Sequence, residues 1–278
     1  MSKERLKSFI GFGVAGNFAH HLEQAGEASD FVDVKVDDVD APKGIFPFYL
    51  PFGDTFLGTY PLSSTIINHP RTKDGNLQME PEVALICELI YENEKVIDVI
   101  PNFFTAYNDC SIRKDNAKKI SEKKNWGEET KGISTHIVPI DNFEEGGVLD
   151  NYHIVSFLKR DGIVYQYGED SAVVTYNYFH TKLKNWIIDK LNTQKDNGPL
   201  EDLNLHLKNS SYPEGMIISI GATSYTSFGQ STFLEVGDEV FVYIYNKNRY
   251  TLDDINNHIK SEDKKQLDNC SYLHQHVV

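Results

Sequence analysis

Between Val83 and Pro101 the sequence reads VALICELIY, then ENEK, then VIDVIP. Two apolar runs of strand length, separated by four polar residues, leave no room for a helical crossover. The pair therefore folds as a β-hairpin whose first strand is buried on both faces. The arrangement returns in YHIVSFLKRDGIVYQYGED, where Asp161-Gly162 supplies the positive φ angles of a tight turn. MIISIG and EVFVYIYNK add strands, and YFHTKLKNWIIDKL has the spacing of an amphipathic helix. Hairpin-linked strands dominate the middle of the chain, which predicts an α+β fold with a mixed β core and flanking helices.

The remaining segments are less regular. NFAHHLEQAGEA, residues 17–28, spaces Phe18, Leu22 and Ala25 along one helical face, and FVDVKVDD alternates as a strand does. Residues 40–62 hold four prolines and six aromatics and read as loop or lid. SIRKDNAKKISEKK reads as a polar helix, residues 192–211 as a polar insertion, and the chain from Thr251 as a polar tail or peripheral helix. This divides the chain into an N-terminal helix, strand and lid region (1–62), a β core (63–250) and a tail (251–278).

GFGVAG, Gly11 to Gly16, matches G-x-G-x-x-G and has Asp37 downstream, as a dinucleotide site requires. Such a site also needs repeated strand–helix–strand units, and this chain offers hairpins. The glycines read instead as a sharp turn from strand into helix.

Charge narrows the partners. Lys and Arg number 27 against 41 acidic residues, a net −14. An acidic field of that size argues against nucleic acid or an anionic membrane, yet permits a small anionic substrate in a locally positive pocket. The three cysteines are far apart and form no C-x-x-C pair, which suits a reducing compartment. With no apolar run long enough for a bilayer, the expected location is cytoplasmic.

Glu80 and Glu82 flank Pro81 at the mouth of the first apolar strand. Residues two apart on a strand share a face, so both carboxylates can aim at one point, where they repel unless a cation lies between them. Hard oxygen ligands of this kind suit Mg²⁺, Mn²⁺ or Ca²⁺ better than zinc. E-x-E pairs in acidic chains more often sit on solvated faces. The segment after the hairpin shifts the balance, because Asp109 can return to the same edge, with Arg113 four residues on and Lys131 before Gly132. A metal with one Arg and one Lys makes the positive pocket that an anionic substrate needs.

E-x-E, then N-D-x-S-x-R, then a W…K-G segment resembles the fumarylacetoacetate hydrolase superfamily. G-x-G-x-x-G-N-F-x-x-H near the start is similar to that family's opening motif, DGIVYQYGEDS to its turn–strand segment, and EGMIISIGATS with FLEVGDEVFVYI to its two closing strands. The resemblance spans most of residues 8 to 246. It implies a mixed β-roll core, a homodimer and a divalent metal held by Glu80, Glu82 and Asp109. It further implies that Lys131 and Arg113 hold or polarise substrate and that Gln166 and Thr223 line the pocket. The family's general base is a helix histidine paired with a glutamate three positions on. His20 and Glu23 have that spacing, whereas counting from Asn17 selects His21, whose partner would be Gln24. In GATSYTSFG, Thr223 is displaced by one position and the family's proline is missing.

The resemblance implies a divalent-metal enzyme acting on a small 2-oxo or 1,3-dioxo carboxylic acid, by C–C hydrolysis, decarboxylation or related enolate chemistry. A metal- and anion-binding protein without turnover, on the same scaffold, is the runner-up. His274 and His276 read as part of a frayed, solvated tail, Cys110 as a buried inert thiol, and Trp126 and Trp186 as packing.

Overall fold

The computed structural model describes residues 1–18, 24, 26, 31, 38–71, 75–114, 117–261 and 266–278. The helix expected over 17–28 and the strand expected over 31–38 lie mostly outside them.

The first hairpin organises the rest. Pro81–Glu92 and Lys95–Asn108 pair antiparallel from Glu92↔Lys95 at the turn to Pro81↔Asn108 at the open end. Asn93 and Glu94 turn the chain with φ of 50° and 63°, the left-handed pair that a two-residue hairpin loop demands. Register shifts at Ile86/Cys87 and Ile90/Tyr91 bend the ribbon. The hairpin is the middle of a sheet ordered Gly44–Tyr49, Ile10–Ala15, Gly215–Ser219, Pro81–Glu92, Lys95–Asn108, Lys131–Ile133, Leu62–Ser63, with Val138–Pro139 also on Lys95–Asn108.

A second sheet runs Ile163–Ala172, Tyr152–Arg160, Glu239–Asn246, Cys270–Val277, Ile66–Ile67. Its first two strands are the second expected hairpin, turning at Asp161 (φ 52°) and Gly162 (φ 79°). The sheets share one core, in which Phe104 meets Tyr152 edge-on at 4.8 Å. The amphipathic helix is His180–Thr193, burying Leu183, Ile187 and Leu191. Parallel and antiparallel pairings are mixed, so the fold is the α+β roll expected from the sequence. Among the described residues, no helix is long and apolar enough to cross a membrane.

Four local readings are corrected. Residues 40–62 are not all loop: Gly44–Tyr49 is a fully buried edge strand of the large sheet. GFGVAG is not a turn, because Ile10–Ala15 is a strand. A Cβ on Gly11 would lie 2.4 Å from the Phe48 ring and one on Gly13 would lie 2.3 Å from the Phe46 ring, so these glycines admit aromatic faces against the backbone. SIRKDNAKKISEKK contributes the short strand Ser111–Arg113 and the single-turn 3₁₀ helix Ile120–Lys123, where the sequence suggested one polar helix.

The fourth correction concerns the chain from Thr251. Leu252–Lys260 is the peripheral helix allowed for, but it is followed by the strand Cys270–Val277, which pairs with Glu239–Asn246 on one side and Ile66–Ile67 on the other. A capping box starts the helix: Thr251 accepts from the Asp254 amide, and Asp254 accepts from the Thr251 amide at 2.8 Å. Thr251→Ala is expected to lower the unfolding free energy by about 1 kcal/mol, read as a shifted urea midpoint. An unchanged midpoint would mean that this helix frays independently of the domain.

Candidate metal centre

Hairpin geometry brings the acidic residues together. Pro81 lies opposite Asn108, so Glu80 and Glu82 at one strand's mouth face Asp109, just past the other strand's end. The Asp109 amide donates to the Glu80 carbonyl at 2.9 Å. Asn108 fixes the corner, its Oδ1 accepting from the amides of Glu80 and Cys110, each at 3.1 Å. The Asn108 amide group donates in turn to Gln275 Oε1 of the last strand. All three carboxyl groups are buried, with one oxygen of each within 4.8 Å of the others.

Among the described residues, three cations meet them. Arg113 lies 2.7 Å from Glu80 Oε1, and its Nε donates to Gln78 at 2.8 Å. Lys131, fully buried, donates to Asp109 Oδ1 at 2.7 Å, to the Asp109 carbonyl at 2.9 Å and to the Cys110 carbonyl at 3.3 Å. All three of its ammonium protons are thereby engaged.

Lys124 is the residue that sequence reasoning missed. Its Nζ stands 2.6 Å from Glu80 Oε2 and 2.6 Å from Asp109 Oδ2, bridging two of the three carboxylates. One turn of 3₁₀ helix ends beside it, and the Asn125 amide group, donating to the carbonyls of Phe48 and Thr59 at 2.9 Å each, pins that turn against the edge strand. In KKISEKKNW nothing distinguishes it from Lys119 or Lys123. A count of buried charge calls for a further cation, since three buried carboxylates need more compensation than Arg113 and Lys131 provide, but it does not say which lysine supplies it.

Burial first, and then the charges of Asp109 and Glu80, push the Glu82 carboxyl well above its ordinary range. The Gly221 amide, 2.8 Å from Glu82 Oε2, works in the opposite direction. Burial likewise pushes Lys131 down, with Asp109 opposing it, and pushes the Cys110 thiol up to about 12, which makes it the inert thiol expected from the sequence.

Three observations test a metal here. The donors are carboxylate oxygens only, the set that hard divalent ions prefer. The Tyr107 hydroxyl, from the residue opposite Glu82, is fully buried and finds no hydrogen-bond partner among the described residues. A cavity of about 20 Å³ borders Glu80, Glu82, Lys124, Phe46 and Ala222, room for one water or one ion. The residues fit a hard divalent ion of the Mg²⁺ class.

The other candidates are placed as follows. Thr223 is buried beside the pair, its amide donating to the Pro81 carbonyl at 3.2 Å. Gln166 turns back on its own strand and donates to the Gly168 carbonyl at 3.1 Å. His20, His21 and Glu23 lie outside the described residues. Gln24 is described: it accepts from the Tyr225 amide at 2.9 Å, and Tyr225 Oη lies 3.3 Å from Arg113. His274 and His276 do not fray. They occupy the last strand, where they approach Glu239, and Glu239 is already ion-paired to Lys159 and hydrogen-bonded to His274, at 2.7 Å each.

Residues 27–277 match the family described as a family of unknown function, DUF5718. The chain belongs to that family. No curated protein matches this DUF5718 chain. Its solved structural neighbours share the fold. Cg1458 with inhibitor superposes with a TM-score of 0.55 at 17% identity, covering 97% of this chain and 76% of the neighbour. A 2-keto-3-deoxy-D-arabinonate dehydratase complexed with magnesium and 2,5-dioxopentanoate gives 0.53 at 17%, covering 96% and 72%. A protein assigned as a fumarylacetoacetate isomerase/hydrolase, from Oleispira antarctica, gives 0.52 at 14%, covering 97% and 93%. The DUF5718 chain therefore has the fumarylacetoacetate hydrolase fold, in a divergent form.

Proposed function

We propose that the chain is a divalent-metal-dependent enzyme acting on a small 2-oxo or 1,3-dioxo carboxylic acid. The observation that carries this reading is the convergence of buried Glu80, Glu82 and Asp109 at the open end of one hairpin. The fold adds support, and so does the dioxo acid with magnesium in one neighbour of the same fold. Glu80, Glu82 and Asp109 would hold the ion, Mg²⁺ or Mn²⁺. When bound it would supply Lewis-acid charge beside the oxygens of the oxo acid.

The chain's own residues would do the rest. Lys131 positions Asp109 through two contacts, and Arg113 positions Glu80. Arg113 and Thr223, beside the carboxylates, would orient an anionic substrate, and Gln166 would join them only by leaving its bond to the Gly168 carbonyl. Following the family resemblance, His20 with Glu23, or His21, would move the proton, and two copies of the chain would form a homodimer.

A turnover screen with Mn²⁺ against a panel of 2-oxo and 1,3-dioxo acids tests the activity. The metal set is tested separately: calorimetric titration with Mn²⁺ should show one site that Glu82→Ala abolishes, and equal binding by the variant would sink the assignment. One observation favours the runner-up, a binding protein without turnover. Among the described residues, the cavity beside Glu80 and Glu82 has room for an ion or a water. Ligand-dependent thermal stabilisation by oxalate plus Mn²⁺, with no product from any acid in the panel, would select that reading.

A further inference from the structure

We propose that Lys124 is a built-in competitor for the metal, its ammonium occupying the place between Glu80 and Asp109 that a divalent ion must take. The inference rests on the metal reading above and concerns how the site is loaded. Lys124 Nζ makes contacts of 2.6 Å to one oxygen of each carboxylate, and side chain and partners are nearly or fully buried. An ion bound by the same three residues would need one or both of those oxygens.

Charge supports the same conclusion. Glu80, Glu82 and Asp109 bring at most three negative charges, and Arg113, Lys124 and Lys131 bring three positive ones. Among the described residues the cluster thus holds no excess negative charge for an ion to neutralise. Adding a divalent cation while Lys124 stayed in place would leave at least two uncompensated positive charges in a buried site, which is strongly unfavourable. Loading therefore displaces the Lys124 ammonium. An acidic ligand arriving with the metal supplies the remaining negative charge.

Lys124 borders the same cavity as Glu80 and Glu82, and in its bridging position its Nζ also lies 5.1 Å from the Phe46 ring centroid, so the ammonium is held by an aromatic face as well as by the carboxylates. The surrounding turn is held by Asn125 rather than by the lysine itself, so the side chain can leave without unfastening the backbone.

The test is Mn²⁺ titration of the full chain and of Lys124→Met and Lys124→Gln, followed by calorimetry and, in parallel, by thermal unfolding. Both variants should bind Mn²⁺ at least about tenfold more tightly than wild type, because the competing charge is gone. Both should melt lower than wild type without metal and regain the loss when Mn²⁺ is added. Should Lys124→Met not fold alone, the glutamine variant, which keeps a donor, carries the measurement. Affinity unchanged or weakened in folded variants overturns the competition while leaving the metal site intact. No Mn²⁺ binding by wild type or by either variant overturns both the competition and the metal reading. A crystal structure with Mn²⁺ supplies an independent check: Lys124 Nζ should have left its bridge, and finding it still against both carboxylates beside a bound ion would overturn the proposal.

Discussion

Replacing Lys131 by Met is expected to lower the unfolding free energy by about 3–5 kcal/mol, the usual consequence of breaking a buried ion pair from one side. Methionine keeps the length of the stem, so the cavity effect is small and the loss is one of charge and hydrogen bonds. The variant leaves Asp109 Oδ1 and the carbonyls of Asp109 and Cys110 without the donor that now serves all three. None of these groups can turn to water, because Lys131 and Asp109 are completely buried. Urea unfolding followed by circular dichroism measures the effect. Adding Asp109→Asn should restore part of the stability, so that the double variant loses less than the sum of the singles. A loss below about 1 kcal/mol for Lys131→Met would show that the pair is worth no more than a surface salt bridge.

Deleting residues 270–278 should have the second large effect, abolishing the cooperative thermal transition. The strand removed is not an edge ornament. Leu273 and Val277 are buried in the main core and Cys270 in a second cluster, and burial of side chains that size contributes about 1.5–3 kcal/mol for each of the larger ones. Deletion would also strip ladder partners from Glu239–Asn246 and Ile66–Ile67. Typical domains have only about 5–15 kcal/mol to lose. A truncated chain that still melted cooperatively near the wild-type temperature would place this strand outside the folding unit.

The sequence declared its hairpins openly, because short polar turns stand between apolar runs: ENEK in one case and Asp161-Gly162 in the other. The carboxylates were legible for the same reason, since a hairpin's two open ends must be neighbours in space. The last strand was not legible. Its inward face reads Ser271, Leu273, Gln275, Val277, half polar, so the alternation that marks a buried strand is hidden. Those polar residues face inward because each meets a specific partner: the Ser271 hydroxyl accepts from the Ala106 amide at 2.8 Å, and the Gln275 amide group donates to the carbonyls of Ser63 and Ile66. Lys124 was illegible on different grounds. Burial of a lysine is decided by where distant carboxylates lie, and a lysine-rich segment carries no local trace of that.

The hydrogen bond from Asn108 to Gln275 has a consequence for how the protein is made. Asn108 holds the backbone on both sides of the acidic corner, yet its own support is translated 167 residues later. At ordinary elongation rates that interval is on the order of ten seconds. Throughout it, Glu80, Glu82 and Asp109 exist on the nascent chain without the strand that braces their corner. Lys124 and Lys131 are synthesised soon after Asp109 and can neutralise the carboxylates during the wait. The corner's full brace is therefore among the last contacts of the fold that can form, because it waits for Gln275.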